Sequence, residues 1–463
     1  MNLPDSFSQY TRELMGEELF NRFVNALADD APTSIRINAA KCKGTVNGGE
    51  KVAWCERGYY LSERPNFTFD PLLHAGWYYV QEASSMFLHK VITQYITTPV
   101  TMLDMCAAPG GKSTVAIAAL PEGNTLISNE PMRTRAQILA ENIQKWGNPN
   151  VIVTNNYPND YAKSGLAFDV ILCDVPCSGE GMFRKDENAI SEWSTRNVDN
   201  CWQLQREIVS QAWQCLNPGG IMIYSTCTFN TKENEENVAW ICSELGASVL
   251  PVSISDDWKI TGSLLKDFNE PVYRFIPGQT RGEGLFMAVL KKADDAEEPI
   301  IKRWKKKNVK PQKLGIKPNK EWLCNANSFD LVMQGDTFIA IPNCLSELYP
   351  IVASSLKIMS AGITLGQIKG KDIIPDQSLA LSTVLNRNAF PTVELSYACA
   401  IDYLRKEAIT LPDGTPKGIV LVTYHDAPLG FMKNIGNRAN NLYPQEWKIK
   451  STHTPDEQTI ISL

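Results

Sequence analysis

The spacing of apolar residues changes along the chain and divides it. Near the start, Leu14, Leu19, Phe20, Phe23 and Leu27 recur at helical spacing, and Ser34-Ile-Arg-Ile-Asn38 alternates as a strand does. Residues 1–70 therefore read as a small α+β domain. From 71 to 292 the rhythm becomes strand, loop, helix, repeated. Val100–Leu103, Thr125–Ser128, Val151–Thr154, Val170–Cys173 and Ile221–Ser225 are predicted strands, and Arg133–Trp146 and Trp202–Leu216 are amphipathic stretches of helix length. Such alternation predicts an α/β domain with a doubly wound, Rossmann-like parallel sheet covered by helices on both faces. Pro218-Gly219-Gly220 reads as the turn from the second of those helices into the next strand. Residues 293–320 read as a linker, 321–385 as a small intermediate domain of short apolar runs, and 386–463 as a last domain rich in strand patterns such as Gly418–Tyr424.

A chain of 463 residues is expected to hold several domains. No apolar stretch approaches the roughly 18–20 residues of a membrane span, and Met1–Tyr10 lacks the basic and apolar regions of a secretory signal. A cytoplasmic protein is expected. The 12 cysteines form no CxxC pair and lie far from the four histidines, which argues against zinc or any other metal and against a disulfide framework. Most of them are expected to be buried small residues. The net charge of −6 hides an asymmetry: residues 299–463 hold 20 Lys and Arg against 14 Asp and Glu, leaving 25 against 37 for residues 1–298. A basic part on an acidic chain points to a polyanionic partner. Its densest stretch, residues 302–320, has nine basic residues and no acidic one. It reads as an exposed tether or as a segment that tracks phosphates.

Chemistry enters with Asp104-Met-Cys-Ala-Ala-Pro-Gly-Gly-Lys-Ser113, which follows one predicted strand and opens a helix. A phosphate loop would need glycine where Cys106 stands, and the GxGxxG of a dinucleotide loop is absent. The remaining reading is a loop that clasps the amino-acid part of S-adenosylmethionine, with Glu130, at the end of the next strand, on the ribose.

Two more strands end in reactive residues. Phe168–Asp174 leads into Val175-Pro176-Cys177, and Ile221–Ser225 into Thr226-Cys227. Ligands of a doubly wound sheet bind outside the carboxyl ends of its strands, so neighbouring strands would bring Asp174, Cys177 and Cys227 to one pocket. Thiols there suit cytosine methylation. Carbon 5 of cytosine is a poor nucleophile until a thiolate adds to carbon 6, and a thiol titrates close enough to neutrality to add and leave. Asp174 is suited to hold the cytosine amine or protonate its ring nitrogen, and the base must leave its stack to arrive. The residues alone leave open which thiol attacks.

The segments Cys106–Lys112 (CAAPGGK), Asp174–Asp186 (DVPCSGEGMFRKD), Tyr224–Thr228 (YSTCT) and Tyr79-Val-Gln-Glu-Ala-Ser-Ser85 occur in order over about 150 residues. Together the chain resembles the Sun-type family of RNA 5-methylcytosine methyltransferases, in its RsmF-like ribosomal RNA branch. The resemblance implies that Cys227 attacks, that Cys177 assists product release, and that Asp174 lines both cofactor and cytosine. It implies cofactor contacts from Cys106, Ala107, Ala108, Pro109, Gly110, Gly111 and Lys112, and ribose binding by Glu130. The family's acid on the adenine amine is missing: Asn156 or Tyr157 stands there, and the Asn156 carbonyl is the acceptor expected. The ends resemble the branch's RNA-facing N-terminal domain and its PUA-like RNA-binding domain, in which Arg438, Tyr443 and Trp447 are candidates to stack on or pair with RNA. The expected function is methylation of small-subunit ribosomal RNA by a monomer, with transfer RNA, or a non-catalytic role in ribosome assembly, as alternatives.

Overall fold

In the computed structural model, residues 3–299 and 319–462 are described; the predicted basic stretch lies outside them except for its last two residues. The first helix, α1 (Asp5–Ala28), buries Phe7, Thr11, Met15, Phe20, Phe23 and Leu27. It breaks at Gly16 (φ 74°, ψ 163°), a setting that glycine adopts without steric cost. The break corrects the predicted stripe: Met15 turns inward in place of Leu14, and Leu14 and Leu19 stay half-buried. An antiparallel sheet follows, in the order Glu50–Lys51, Gly58–Tyr60, Ser34–Ile37, Tyr78–Val80. From its centre the wholly buried Arg36 donates to Gln81 Oε1 (3.0 Å) and Thr114 Oγ1 (2.6 Å) and lies 4.4 Å above the Trp146 ring. Burial lowers its pKa to about 10, so it stays charged near neutrality and ties this unit to the helix after the glycine loop.

The central sheet has nine strands. Five are parallel: β1 (Thr101–Asp104), β2 (Thr125–Asn129), β3 (Val151–Thr154), β4 (Phe168–Asp174) and β5 (Leu216–Thr226), ordered β5-β4-β1-β2-β3. They are apolar runs buried on both faces, as parallel strands under helices must be. Antiparallel β6 (Leu285–Lys291) continues the sheet beyond β5, and β7 (Ile358–Ala361) closes it beyond β3. Helix α2 (Gly111–Ala119) leaves the loop after β1, and α3 (Arg133–Trp146) joins β2 to β3, ending at Gly147 in the left-handed region (φ 84°).

Two predicted boundaries are corrected. Helix α4 spans Thr195–Trp213, not 202–216, because Ser194 Oγ caps it by accepting from Asn197 N. Pro218-Gly219-Gly220 is not the turn between helix and strand. It lies inside β5, where the register with β4 slips between Leu216 and Ile221, a bulge that proline and glycine favour.

The C-terminal part brings two four-stranded sheets. One holds Phe329–Gln334, Thr337–Pro342, Ile363–Lys369 and Asp372–Pro375, and the other Thr392–Glu394, Gly418–Tyr424, Ala427–Asn434 and Ala439–Asn441. Neither stands apart. The first sends β7 into the central sheet. The second shares a core with the N-terminal unit, where Ile35, Tyr59 and Tyr78 pack with Leu404, Val422 and Leu429. Ile461–Ser462 also pairs with Thr45–Val46. Tyr443 is wholly buried in that core and so is corrected from the candidates for RNA stacking; Trp447 is half-buried beside it, and Arg438 is exposed. Most of the cysteines are not buried: Cys42, Cys55, Cys173 and Cys215 are, six are half-buried, and Cys324 and Cys344 are exposed. None of the described helices is long and apolar enough to cross a membrane.

Candidate active site

Because β1 and β5 flank β4, three loops emerge side by side at the carboxyl edge of the sheet, where the strand order reverses. The first runs from β1 to α2. Beneath it Asp104 is wholly buried and accepts from Ser113 Oγ (2.6 Å), and burial pushes its carboxyl up to about 7. Helix α3 holds the loop from the side, through Arg135 to Ala108 O (3.0 Å) and Asn142 to Pro109 O (2.8 Å). Gly110 (φ 114°) turns the chain into α2. A side chain at Gly111 would start 3.4 Å from the Tyr79 ring and 3.5 Å from the Gln81 amide.

Between this loop and the Tyr79–Ser85 segment lies a cavity of about 190 Å³, bordered by Cys106–Pro109, Gly111, Lys112 and Asp174. Its groups suit an amino-acid zwitterion. The start of α2 offers main-chain N–H groups without helical partners, and Gln81 Nε2 is buried at the cavity with no hydrogen-bond partner. Lys112 Nζ lies 2.8 Å from Asp174 Oδ2, and Asp174 Oδ1 accepts from Ser225 Oγ at 2.7 Å. Burial works against the charge on Lys112, but Asp174 more than offsets it and raises the ammonium above its usual range.

The other two loops bring the thiols together. Cys177 Sγ and Cys227 Sγ are 3.0 Å apart, both free and half-buried. The hydrogen bond to Cys227, then burial, hold the Cys177 thiol well above the usual range. Gly181 N donates to Cys227 O (2.7 Å), and a side chain at Gly181 would start 2.6 Å from that oxygen. Glycine alone permits that approach.

Glu130 and Asn156 do not border this cavity. Glu130 follows β2, is 1% exposed, and accepts from Met132 N (2.9 Å), with Arg135 3.6 Å away. The Asn156 carbonyl already accepts from Lys357 N at 2.9 Å, and Tyr157 is 69% exposed.

What the sequence did not reveal is the polar scaffold behind the cysteines. Glu180 accepts from Phe229 N, Asn230 and Trp193 Nε1; Glu233 accepts from Ser178 N, Gln205 and Asn230. All four loop residues named from each side (Ser178 and Glu180, Asn230 and Glu233) are buried. Behind them Arg274 pairs with Glu235, both essentially inaccessible, and donates to Phe229 O at 2.7 Å. A run such as Asn230–Glu236 reads in sequence as a solvated helix start. The one available signal was spacing, since Glu180 and Asn230 each lie three residues past a cysteine. Removing one partner of a buried ion pair strands the other charge. Glu235→Ala is expected to lower stability by about 3–5 kcal/mol in urea unfolding; a loss under 1 kcal/mol would contradict this bracing role.

Comparison with known proteins follows the same division of the chain. The family profile described as 16S rRNA methyltransferase RsmB/F matches residues 96–291. The N-terminal domain of 16S rRNA methyltransferase RsmF matches residues 3–83, and the methyltransferase RsmF PUA domain residues 390–449. Ribosomal RNA small subunit methyltransferase F of Escherichia coli O139:H28 is 30% identical over 96% of each chain. The protein of the same name from Photobacterium profundum is 29% identical over 96% of this chain and 97% of its own. Among solved structures, NSun6 from Pyrococcus horikoshii (20% identity, TM-score 0.52) aligns with 63% of this chain and 99% of its own. A methyltransferase homolog protein from that organism (24% identity, TM-score 0.51) aligns with 63% and 100%. At these identities the structural likeness concerns the fold.

Proposed function

Because the chain belongs to the RsmB/F family of 16S rRNA methyltransferases, which use S-adenosylmethionine, we propose that it methylates carbon 5 of a cytosine in small-subunit ribosomal RNA through a covalent bond from Cys227 to the base. The observation that carries this reading is the pair of thiols 3.0 Å apart at the strand edge that also holds the Lys112–Asp174 pair and the glycine loop.

Cys227 Sγ adds to carbon 6 of the flipped cytosine, and the electron pair moves onto carbon 5. Attack is assigned to Cys227 because its Thr-Cys motif matches the family's nucleophile, and Cys177 lies against it at 3.0 Å. Asp174 orients the base, steadied by Lys112 and Ser225. S-adenosylmethionine, when bound, supplies a methyl group made electrophilic by its sulfonium. Cys106, Ala107, Ala108, Pro109, Gly110, Gly111 and Lys112 hold its amino-acid end, with Gln81 as a further donor, and Glu130 serves its ribose. Asn156 keeps one lone pair for the adenine amine beside its bond to Lys357. After transfer, a base (water or Cys177) takes the proton from carbon 5, the freed electron pair re-forms the carbon 5–carbon 6 double bond, and Cys227 leaves as thiolate. Cys177, next to the adduct, assists that elimination.

The last sheet recruits RNA with exposed Arg438 rather than with Tyr443, and the protein works as a cytoplasmic monomer. Bisulfite sequencing of ribosomal RNA from cells with and without this chain tests the reading. One cytosine of 16S RNA is expected to lose its mark in the deleted strain; an unchanged 16S pattern would overturn the substrate assignment.

A further inference from the structure

Strand β7 comes from the module after residue 319, yet it completes the central sheet next to β3, whose end borders the cofactor side of the fold. We infer that Lys357, the residue before β7, is a positioning residue for the ribose and adenine end of the cofactor site. The inference rests on the S-adenosylmethionine reading above.

Hydrogen bonds run from Lys357 into that site along two routes. Lys357 Nζ donates to Asn155 Oδ1 (2.9 Å), and Asn155 N donates back to Lys357 O (2.9 Å). The Asn155 amide in turn donates to the main-chain oxygens of Glu130 (2.9 Å) and Pro131 (2.8 Å). This fixes the backbone that carries the ribose carboxylate. On the second route, Lys357 N donates to Asn156 Oδ1 (2.9 Å). Asn156 N also donates to Asn129 Oδ1 (3.1 Å), and Asn129 Nδ2 donates to Asn156 O (2.9 Å) and to Met105 O (3.0 Å), at the root of the glycine loop.

The module also grips α3 at the end away from the site. Thr383 donates from N (3.0 Å) and Oγ1 (3.1 Å) to Gly147 O, where α3 ends. A side chain at Gly147 would start 2.2 Å from Leu381 O. Thus β3 and α3, the elements that follow Glu130, are both held from outside the Rossmann-like domain. Without β7, β3 would be an edge strand with unpaired N–H and C=O groups, and its last residues would order only on cofactor binding. Asn155, Asn156 and Tyr157 offer no carboxylate to this end of the site. Lys357 supplies the fixed charge that holds Asn155, and its main-chain N–H holds Asn156.

Calorimetric titration of the full-length chain with S-adenosylhomocysteine tests this. Lys357→Met is expected to raise Kd about tenfold, the loss of one charge-assisted hydrogen bond, and Lys357→Arg to restore it to within about threefold. Asn155→Ala should match Lys357→Met, and the double variant should be no weaker than either, because the residues act in series. Thermal unfolding without ligand should not distinguish Lys357→Met from the parent, since the side chain is exposed. An unchanged Kd in Lys357→Met, or additive effects in the double variant, would overturn the inference. A parent chain that binds no S-adenosylhomocysteine would overturn the cofactor reading itself, and the inference with it.

Discussion

Cys227→Ala is expected to reduce methyl transfer to RNA by about 10⁴-fold or more, measured as labelled methyl incorporation into a 16S transcript. Cys227 is the group assigned to add to carbon 6 and make carbon 5 nucleophilic. Cys177, a thiol held well above its usual range, is the poorer nucleophile of the two cysteines. The Cys227 side chain does not border the cavity assigned to the amino-acid end of the cofactor, so S-adenosylhomocysteine affinity should stay within about twofold of the parent. Such a split, catalysis lost and cofactor binding kept, separates a nucleophile from a packing residue. Cys227→Ser should be nearly as inactive, because a hydroxyl is far less acidic than a thiol. Activity near the parent's in Cys227→Ala would mean that the attacking group lies elsewhere.

Cys177→Ala should behave in the opposite way. Attack and methyl transfer proceed, but elimination stalls, and the protein accumulates on its RNA as an adduct that survives denaturing electrophoresis. Turnover should fall about 10²–10³-fold, the scale of a lost proton-transfer aid, while a single round yields nearly one adduct per active site. Adding Cys227→Ala to this variant should abolish the adduct. Were the adduct to form in Cys227→Ala instead, the two thiols would have exchanged roles.

The parts of this site that were legible in sequence are those written in local patterns. Buried parallel strands need unbroken apolar runs, so β1 to β5 announced themselves, and functional side chains at strand ends could be placed by counting. Which thiol attacks was not legible without the family resemblance. The structure adds that the two thiols, 50 positions apart in sequence, meet at 3.0 Å. The scaffold of Glu180, Asn230 and Glu233 left no mark in the sequence because acidic residues ordinarily face water; only the folded loops reveal that each carboxylate oxygen meets a donor. Helix α1 was misaligned because a single glycine resets its phase, and periodicity averaged across the break favours the wrong leucine. Least legible was β7. Four residues of modest hydrophobicity carry no sign that their partners lie some 200 positions earlier.

That distance also has a meaning in time. A ribosome delivers about 5–20 residues per second, so any central sheet that forms during synthesis waits on the order of 10–40 s for the strand that closes it. The N-terminal unit waits longer, since Thr45–Val46 finds its partner only in Ile461–Ser462, about 400 residues later. The nascent chain therefore carries unpaired strands while several hundred further residues are made, and its sheets close by late contacts between distant segments rather than domain by domain.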